Sequence, residues 1–229
     1  LDPDHPCYSV QDVANEARQY LASYDVLGVD CYPVPKSPVG EVAKRMRTSG
    51  RGTMGLRPRW DVPQAFAWGW LFRAATRGQR APTRDEMANM SWQMVACGAN
   101  GLFYYAFQHI YERHPVEDPD ESYAAFWPRV KSAAGEIKKY EDVLLSDETP
   151  PEVTGGTSDA LVARAWRWKG ETYLVVVNCR DVRQEAAVGL SESFGRVVAS
   201  DFGPAPVLQG GSEVRCELPP LGYVMVRLK

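Results

Sequence analysis

Apolar and polar positions alternate along the first 145 residues in a repeated pattern of strand followed by helix. Short apolar runs are each followed by a stretch with apolar residues at helical spacing. The runs are at 5–10, 25–32, 62–67 and 101–107. Alternation of this kind is typical of parallel strands joined by crossover helices. We therefore predict four β/α units in the first part of the chain.

The helices between these strands are predicted at 11–23, at 39–47 and after Thr83. Thr83 lies three residues before Glu86, which is the spacing of a capping box, and Gly98 follows the last apolar residue. The stretch 48–58 is rich in Gly and Arg and is predicted to be a loop, with Gly50 ending the helix before it. A last helix carries its apolar residues on one face: Val130, Ala134, Ile137, Tyr140 and Leu144.

The pattern of apolar and polar residues changes in the second half of the chain. Between 147 and 159 the composition changes to Pro, Gly, Thr and Glu, as in a domain linker. Short strand patterns then follow one another with no helical stretch between them, which predicts a β-sandwich. These strands are at 160–168, 172–178, 184–190, 196–201, 207–208, 213–218 and 223–228. The predicted domains are 1–148 and 160–229, joined by a linker at 149–159.

Composition and charge exclude several classes of function. Hydrophobic residues make up 45% and charged residues 24% of the chain, as in soluble globular proteins. The net charge is −3, and the only basic cluster, at 44–51, fits a solvated helix face, so no nucleic-acid partner is expected. No apolar run reaches the length needed to cross a bilayer, so no membrane partner is expected either. Localisation stays open.

Cysteine and histidine patterns predict no metal site and no cofactor. The five cysteines include no CxxC pair, and no two histidines have the spacing of metal ligands. Cys179 and Cys216 fall in strands of the same predicted domain and are the one pair we considered for a disulfide. The sequence also lacks a Gly-rich phosphate loop and a Ser or Cys nucleophile motif.

Three segments resemble strands six, seven and eight of (β/α)₈-barrel glycoside hydrolases: 25–33, 63–66 and 98–105. In the same comparison 6–10 falls on strand five, and 218–226 is similar to the last strand of the β-sandwich that often follows such barrels. The resemblance implies an α/β fold: strands five to eight of a TIM barrel, then an all-β sandwich. It also implies that strands one to four lie outside this chain. We therefore expect the sheet to be completed by the missing N-terminal half of the barrel or by a second copy.

The resemblance implies hydrolysis of O-glycosidic bonds, which normally needs two carboxyl groups. It places the general acid at the end of strand four, outside this sequence, and a nucleophilic Glu at the end of strand seven. Gln64 occupies that second position. A carboxamide cannot form a glycosyl ester, so Asp61 or a loop carboxylate would have to act as nucleophile. The isolated chain is therefore expected to be inactive, and the alternative is a non-catalytic carbohydrate-binding or structural protein of the same fold.

Asp30 and Tyr32 end the sixth strand, where related enzymes present polar groups to the sugar. Asp30 either contacts substrate or caps the following loop, and Tyr32 is either a substrate contact or a core residue. Several aromatic residues follow strands seven and eight and would suit either a carbohydrate cleft or barrel packing: Trp68, Trp70, Tyr104, Tyr105 and His109. The residues predicted to bind a carbohydrate substrate are Asp30, Tyr32, Gln64, Trp68 and Tyr105. An acidic stretch at 112–121 is predicted to be a solvated loop.

Overall fold

The computed structural model describes residues 4–71, 80–111 and 122–229. The acidic stretch at 112–121 lies outside the described residues. The chain forms two compact units, Leu1–Gly135 and Glu136–Lys229. Within the described ranges no helix is long and apolar enough to cross a membrane.

The first unit is built on a four-stranded sheet whose strands follow one another in chain order. Its strands are β1 (Tyr8–Gln11), β2 (Val26–Cys31), β3 (Trp60–Pro63) and β4 (Gly101–Leu102). All three pairings are parallel, as the alternating pattern predicted. The pairing continues past β3 and β4 through an isolated bridge between Gln64 and Tyr105. Consequently the carboxyl ends of all four strands meet at one edge of the sheet.

Two helices of the first unit, α1 (Glu41–Thr53) and α3 (Arg84–Ala96), pack against β2 and β3 of this sheet. The other helices are α2 (Trp68–Leu71), α4 (Phe107–Tyr111), α5 (Tyr123–Lys139) and α6 (Glu141–Leu144), the last of which belongs to the second unit. The division between the two units falls within α5. The predicted capping box at the start of α3 is confirmed, because Thr83 Oγ1 accepts the Glu86 amide while the Glu86 carboxylate accepts the Thr83 amide.

A buried ion pair ties α1 to β3. The guanidinium of Arg59 donates to Asp61 Oδ2 at 2.7 Å and to the Met46 carbonyl of α1 at 2.7 Å. The backbone amide of Val29 donates to the other oxygen of Asp61 at 3.3 Å. Asp61 is fully buried, so it serves the packing of the sheet and has no access to a substrate. The prediction that Asp61 could replace the missing nucleophile is therefore wrong.

Two predicted elements differ from the structure. The only helix in the stretch 11–23 is a 3₁₀ helix at Ala14–Glu16. The Tyr24 hydroxyl donates to the Ala17 carbonyl, and the Leu21 amide donates to Arg18. The predicted loop at 48–58 is helical up to Thr53.

Gly50, which we expected to end α1, lies inside that helix. A Cβ atom at this position would lie 3.0 Å from the Arg59 guanidinium, so the glycine leaves room for the buried ion pair. The helix ends instead at Met54, which has left-handed backbone angles.

The second unit contains two antiparallel four-stranded sheets that share one apolar core. Its strands are β5 (Val153–Gly155), β6 (Leu161–Trp168), β7 (Glu171–Asn178), β8 (Gln184–Leu190), β9 (Val197–Asp201), β10 (Val207–Gln209), β11 (Glu213–Leu218) and β12 (Tyr223–Leu228). Seven of these match the predicted strands, and β5 lies in the stretch predicted to be a linker. Leu174 and Val226 from one sheet pack in the same core as Val188 and Val214 from the other. Both Cys179 and Cys216 are free thiols.

Candidate active site

The carboxyl edge of the parallel sheet carries most of the residues that the sequence singled out. Asp30 is the last but one residue of β2 and Tyr32 follows that strand, while Gln64 follows β3. Tyr105 lies beside Gln64 through the isolated bridge. Parallel strands bring their carboxyl ends to one edge, which is why residues far apart in sequence meet here.

An aromatic cluster forms one side of this edge. The Tyr32 ring stacks on Tyr105 at a centroid distance of 5.7 Å and meets Phe66 edge-on at 5.0 Å. Trp68 contacts Phe66 at 5.3 Å and Tyr32 at 6.2 Å. Tyr105 is 40% exposed, so the cluster presents an aromatic surface as well as a packed interior. His109 joins it at 5.5 Å from the Tyr105 ring.

The structure brings only part of the predicted aromatic set together. Alternation along the chain turns Tyr104 to the opposite face of the sheet, where its hydroxyl lies 2.8 Å from Ser91 of α3. Burial raises the pKa of Tyr104 to about 12. Trp70 packs edge-on against Phe126 of α5 at 5.2 Å. Both side chains therefore pack within the unit, which is one of the two roles that the sequence left open for them.

Phe66 is the member that the sequence reasoning missed. It is completely buried and contacts Tyr32, Trp68 and Tyr105. Phe66 follows the end of β3 by three residues and precedes α2, so its place at a strand end was the available signal.

Asp30 is the titratable group of this edge. Its Oδ1 is buried and has no hydrogen-bond partner among the described residues. Burial is the main cause that raises the pKa of Asp30, and the negative charge of Asp12 adds to it. The Tyr32 hydroxyl, which hydrogen-bonds the carboxyl, and the more distant Arg45 act in the opposite direction. Burial also raises the pKa of Tyr32, with the charge of Asp30 as the second cause.

Gln64 has a different environment from its neighbours. It is fully buried, and its Nε2 donates to the carbonyls of Val34 at 2.8 Å and Phe66 at 2.9 Å. Its Oε1 accepts the Val34 amide at 2.9 Å. Both amide hydrogens are therefore used within the protein, and the side chain fixes the loop after β2 to the end of β3.

The loop after β2 also places a cation beside the aromatic cluster. Lys36 Nζ lies 3.4 Å from the centroid of the Trp68 ring, in the geometry of a cation–π contact. The peptide bonds Val34–Pro35 and Tyr105–Ala106, which flank the cluster, are both cis. In the described part of the chain no group of three or more His, Cys, Asp or Glu is placed to hold a metal ion.

The chain is similar in fold to glycoside hydrolases of known structure, such as an α-amylase and a cyclomaltodextrinase. AmyP, solved in complex with maltose, matches 96% of the chain with a TM-score of 0.53 at 8% identity. The α-amylase from H. orenii matches 97% with a TM-score of 0.51 at 11% identity, and a cyclomaltodextrinase 97% with 0.51 at 10%.

The chain spans only part of these structures: 63% of AmyP, 53% of the α-amylase and 40% of the cyclomaltodextrinase. At the level of sequence, no protein-family model and no curated protein matches it.

Proposed function

We propose that this chain is part of a glycoside hydrolase, in which it supplies strands five to eight of a (β/α)₈ barrel and the β-sandwich that follows. The observation that supports this most directly is the Asp30–Tyr32 pair beside the exposed ring of Tyr105. Aromatic rings stack on the apolar faces of sugars, while an enclosed carboxyl group can exchange hydrogen bonds with sugar hydroxyls. The substrate is a carbohydrate, and the reaction is hydrolysis of an O-glycosidic bond.

Within this proposal the five site residues have two kinds of role. Asp30, Tyr32, Trp68 and Tyr105 line the substrate cleft. Gln64 positions the loop that holds Lys36 over Trp68, since its own amide is used by backbone groups. No carboxylate in the described part of β3 can serve as nucleophile, because Asp61 is buried in its ion pair. The chain alone is therefore inactive, and the acid comes from the part of the barrel that it lacks.

Features of the four-stranded sheet also support the proposal that the rest of the barrel completes it. Parallel sheets are normally covered on both faces, yet the face opposite the helices exposes Val10 by 46% and Phe103 by 51%. Among the described residues, β1 and β4 each pair on one side only. Open edges beside apolar side chains recruit further strands. The N-terminal half of the barrel is the partner that covers both, and pairing with a second copy is the alternative.

Assays of two forms of the protein test this function. The 229-residue chain and a form that includes the preceding part of its reading frame are each incubated with a panel of aryl glycosides. We expect turnover only from the longer form, and a loss of about a hundredfold or more in kcat/KM in its Asp30→Asn variant. Asp25→Asn, which removes an exposed carboxylate just before the same strand, is the matched control and keeps activity.

The same panel of glycosides distinguishes the hydrolase from the alternative, a non-catalytic carbohydrate-binding protein. A longer form that binds sugars with Asp30-dependent quenching of Trp fluorescence, but never turns them over, would establish the non-catalytic carbohydrate-binding protein. Clear turnover by the 229-residue chain on its own would show that the catalytic groups lie within it and that the proposal is wrong.

A further inference from the structure

Lys36 is a cation beside the candidate cleft whose charge the proposed function does not use. It is an exposed residue on the loop between β2 and α1, at the carboxyl edge of the sheet. Its Nζ lies 3.4 Å from the centroid of the Trp68 ring. Within the described ranges this ammonium forms no ion pair with a carboxylate, so its one recorded partner is the face of an aromatic ring.

The backbone around Lys36 is held on both sides. The carboxamide of Gln64 pairs with the amide and the carbonyl of Val34 at 2.9 and 2.8 Å. The Ser37 amide donates to the Pro33 carbonyl at 2.8 Å, which closes a turn that contains Lys36. A ligand that binds this ammonium therefore has only the side chain left to order, which lowers the entropy cost of binding.

A row of rings connects this cation to the exposed part of the cluster. Trp68 meets Tyr32 edge-on at 6.2 Å, and Tyr32 stacks on Tyr105 at 5.7 Å. The ammonium lies at one end of this row, and the 40% exposed ring of Tyr105 lies at the other. On the face of Trp68 that Lys36 covers, a sugar would meet the ammonium before the ring.

The other charges at this edge leave the ammonium available to a ligand. After burial, the charges that act on the pKa of Asp30 are those of Asp12 and Arg45, and Lys36 is not among them. Lys36 is therefore not the counter-ion of the acid in the cleft. An ammonium has three N–H donors, and a ring face takes only those directed at it. The remaining donors can bind an anionic oxygen.

We propose that Lys36 makes the cleft specific for acidic sugars, because its ammonium pairs with the carboxylate or sulfate group of a sugar residue bound beside Tyr32 and Tyr105. This inference rests on the hydrolase function proposed above and names its substrate class. A neutral sugar can use the rings, but it offers the ammonium no charge. Lysine acts as a point charge and lacks the planar fork by which arginine fits a carboxylate, so the two anionic groups share one recognition chemistry.

Binding of single sugars to the 229-residue chain tests this specificity. The probe is the indole N–H resonance of Trp68 in ¹H–¹⁵N spectra, which is assigned by its loss in Trp68→Phe. D-glucuronate, D-glucose 6-sulfate and D-glucose are titrated at equal ionic strength, because salt screens exposed charges. We expect an acidic sugar to shift this resonance saturably and to bind about tenfold more tightly than D-glucose. The tighter of the two acidic sugars identifies the anionic group as carboxylate or sulfate.

Variants of Lys36 separate its charge from the rest of the cleft. Lys36→Gln should weaken the acidic sugar by about tenfold or more, while the affinity for D-glucose does not fall. Lys36→Arg keeps the positive charge and should keep the preference for the acidic sugar. Lys44→Gln is the matched control and binds as the parent does, because Lys44 is exposed in the same unit and already lies 3.5 Å from the Glu41 carboxylate.

Several results would overturn the inference. They are D-glucose binding as tightly as the acidic sugars, an acidic-sugar affinity that is unchanged in Lys36→Gln, and no binding of either acidic sugar. Sodium acetate that binds as tightly as D-glucuronate also refutes it, because the sugar ring would then contribute nothing. Turnover by the longer form tests the function separately. Hydrolysis of neutral aryl glycosides that is independent of Lys36 refutes the specificity alone, whereas no hydrolysis of neutral or acidic glycosides refutes the hydrolase function.

Discussion

Replacing Gln64 by Met tests whether its carboxamide holds the loop after β2. Met has a similar length and volume, so the change removes the amide group and leaves little cavity. Three backbone groups then lose their partners inside the protein: the amide and carbonyl of Val34 and the carbonyl of Phe66. Each buried hydrogen bond contributes about 1 kcal/mol, and a polar group left unpaired costs more, so we expect a loss of about 3–4 kcal/mol.

Two measurements check this expectation. Urea unfolding followed by far-UV circular dichroism gives the loss of free energy, and native-state hydrogen exchange reports on the Val34 amide itself. We expect that amide to lose its protection in Gln64→Met. Gln19→Met is the matched control, since Gln19 is exposed in the same unit, and it should stay within about 0.5 kcal/mol of the parent.

Gln64→Glu adds a pH signature to the same experiment. A carboxylate at this position would face the carbonyls of Val34 and Phe66, so its pKa in the folded state is raised above the unfolded value. The pH-dependent part of the destabilisation is absent below the unfolded pKa and grows as the pH rises through the folded pKa. A constant part remains at every pH, because a protonated carboxyl donates one hydrogen bond where the carboxamide of Gln64 donates two. A loss below about 1 kcal/mol in Gln64→Met, with the Val34 amide still protected, would show that other contacts hold the loop.

Two further predictions concern carboxylates of the sheet. Asp61→Asn leaves the buried Arg59 charge without its partner, so unfolding by urea should show a loss of about 3–5 kcal/mol, whereas a loss below about 1 kcal/mol would mean that the pair is solvated. Asp30→Asn should stabilise the protein near neutral pH, because burial raises the folded pKa of Asp30 and its ionised form is penalised there. The gain should vanish as the pH falls below the unfolded pKa of Asp30, and a gain that persists at acidic pH would contradict this cause.

The parts of the fold that local physics dictates were predictable from the sequence. Short strand patterns with no helical stretch between them predicted seven of the eight β-domain strands, and the spacing of Thr83 and Glu86 predicted the start of α3. Parallel pairing of the first four strands was expected from the predicted helices between them, and it holds although the first connection contains only a 3₁₀ helix. For the capping box and the β-domain strands, the residues that carry the signal lie within the element they predict.

The failures occurred where contacts with a side chain outside the element accompany the local structure. The stretch 11–23 has good helix formers, but the Ala17 carbonyl accepts the Tyr24 hydroxyl, and the Leu21 amide donates to Arg18. Gly50 resembles a helix end, but it is inside α1 because the Arg59 side chain passes there. Sequence patterns do not contain these contacts, since each depends on how two elements pack.

The candidate site likewise combines features that the sequence predicts with features that it does not. Asp30 and Tyr32 are two residues apart on one strand, so their proximity could be read from the sequence. Gln64 could be placed at the right strand end, but its role could not be predicted, because its partner Val34 lies thirty residues earlier. Resemblance predicted a catalytic position there, and the contacts of the side chain are those of a structural residue.

The layer below the site explains why the strand ends are held in place. The rings of Tyr8, Trp60 and Phe103 lie within 5.8 Å of one another on the face opposite the helices, and the Tyr8 hydroxyl donates to the Trp60 carbonyl. Gly28 of β2 makes room for the Tyr8 ring, which covers the place where a side chain would stand. Three strands are thereby joined by aromatic contacts beneath Asp30. Phe103 is nevertheless 51% exposed, so this layer joins the strands and still leaves apolar surface open on the same face of the sheet.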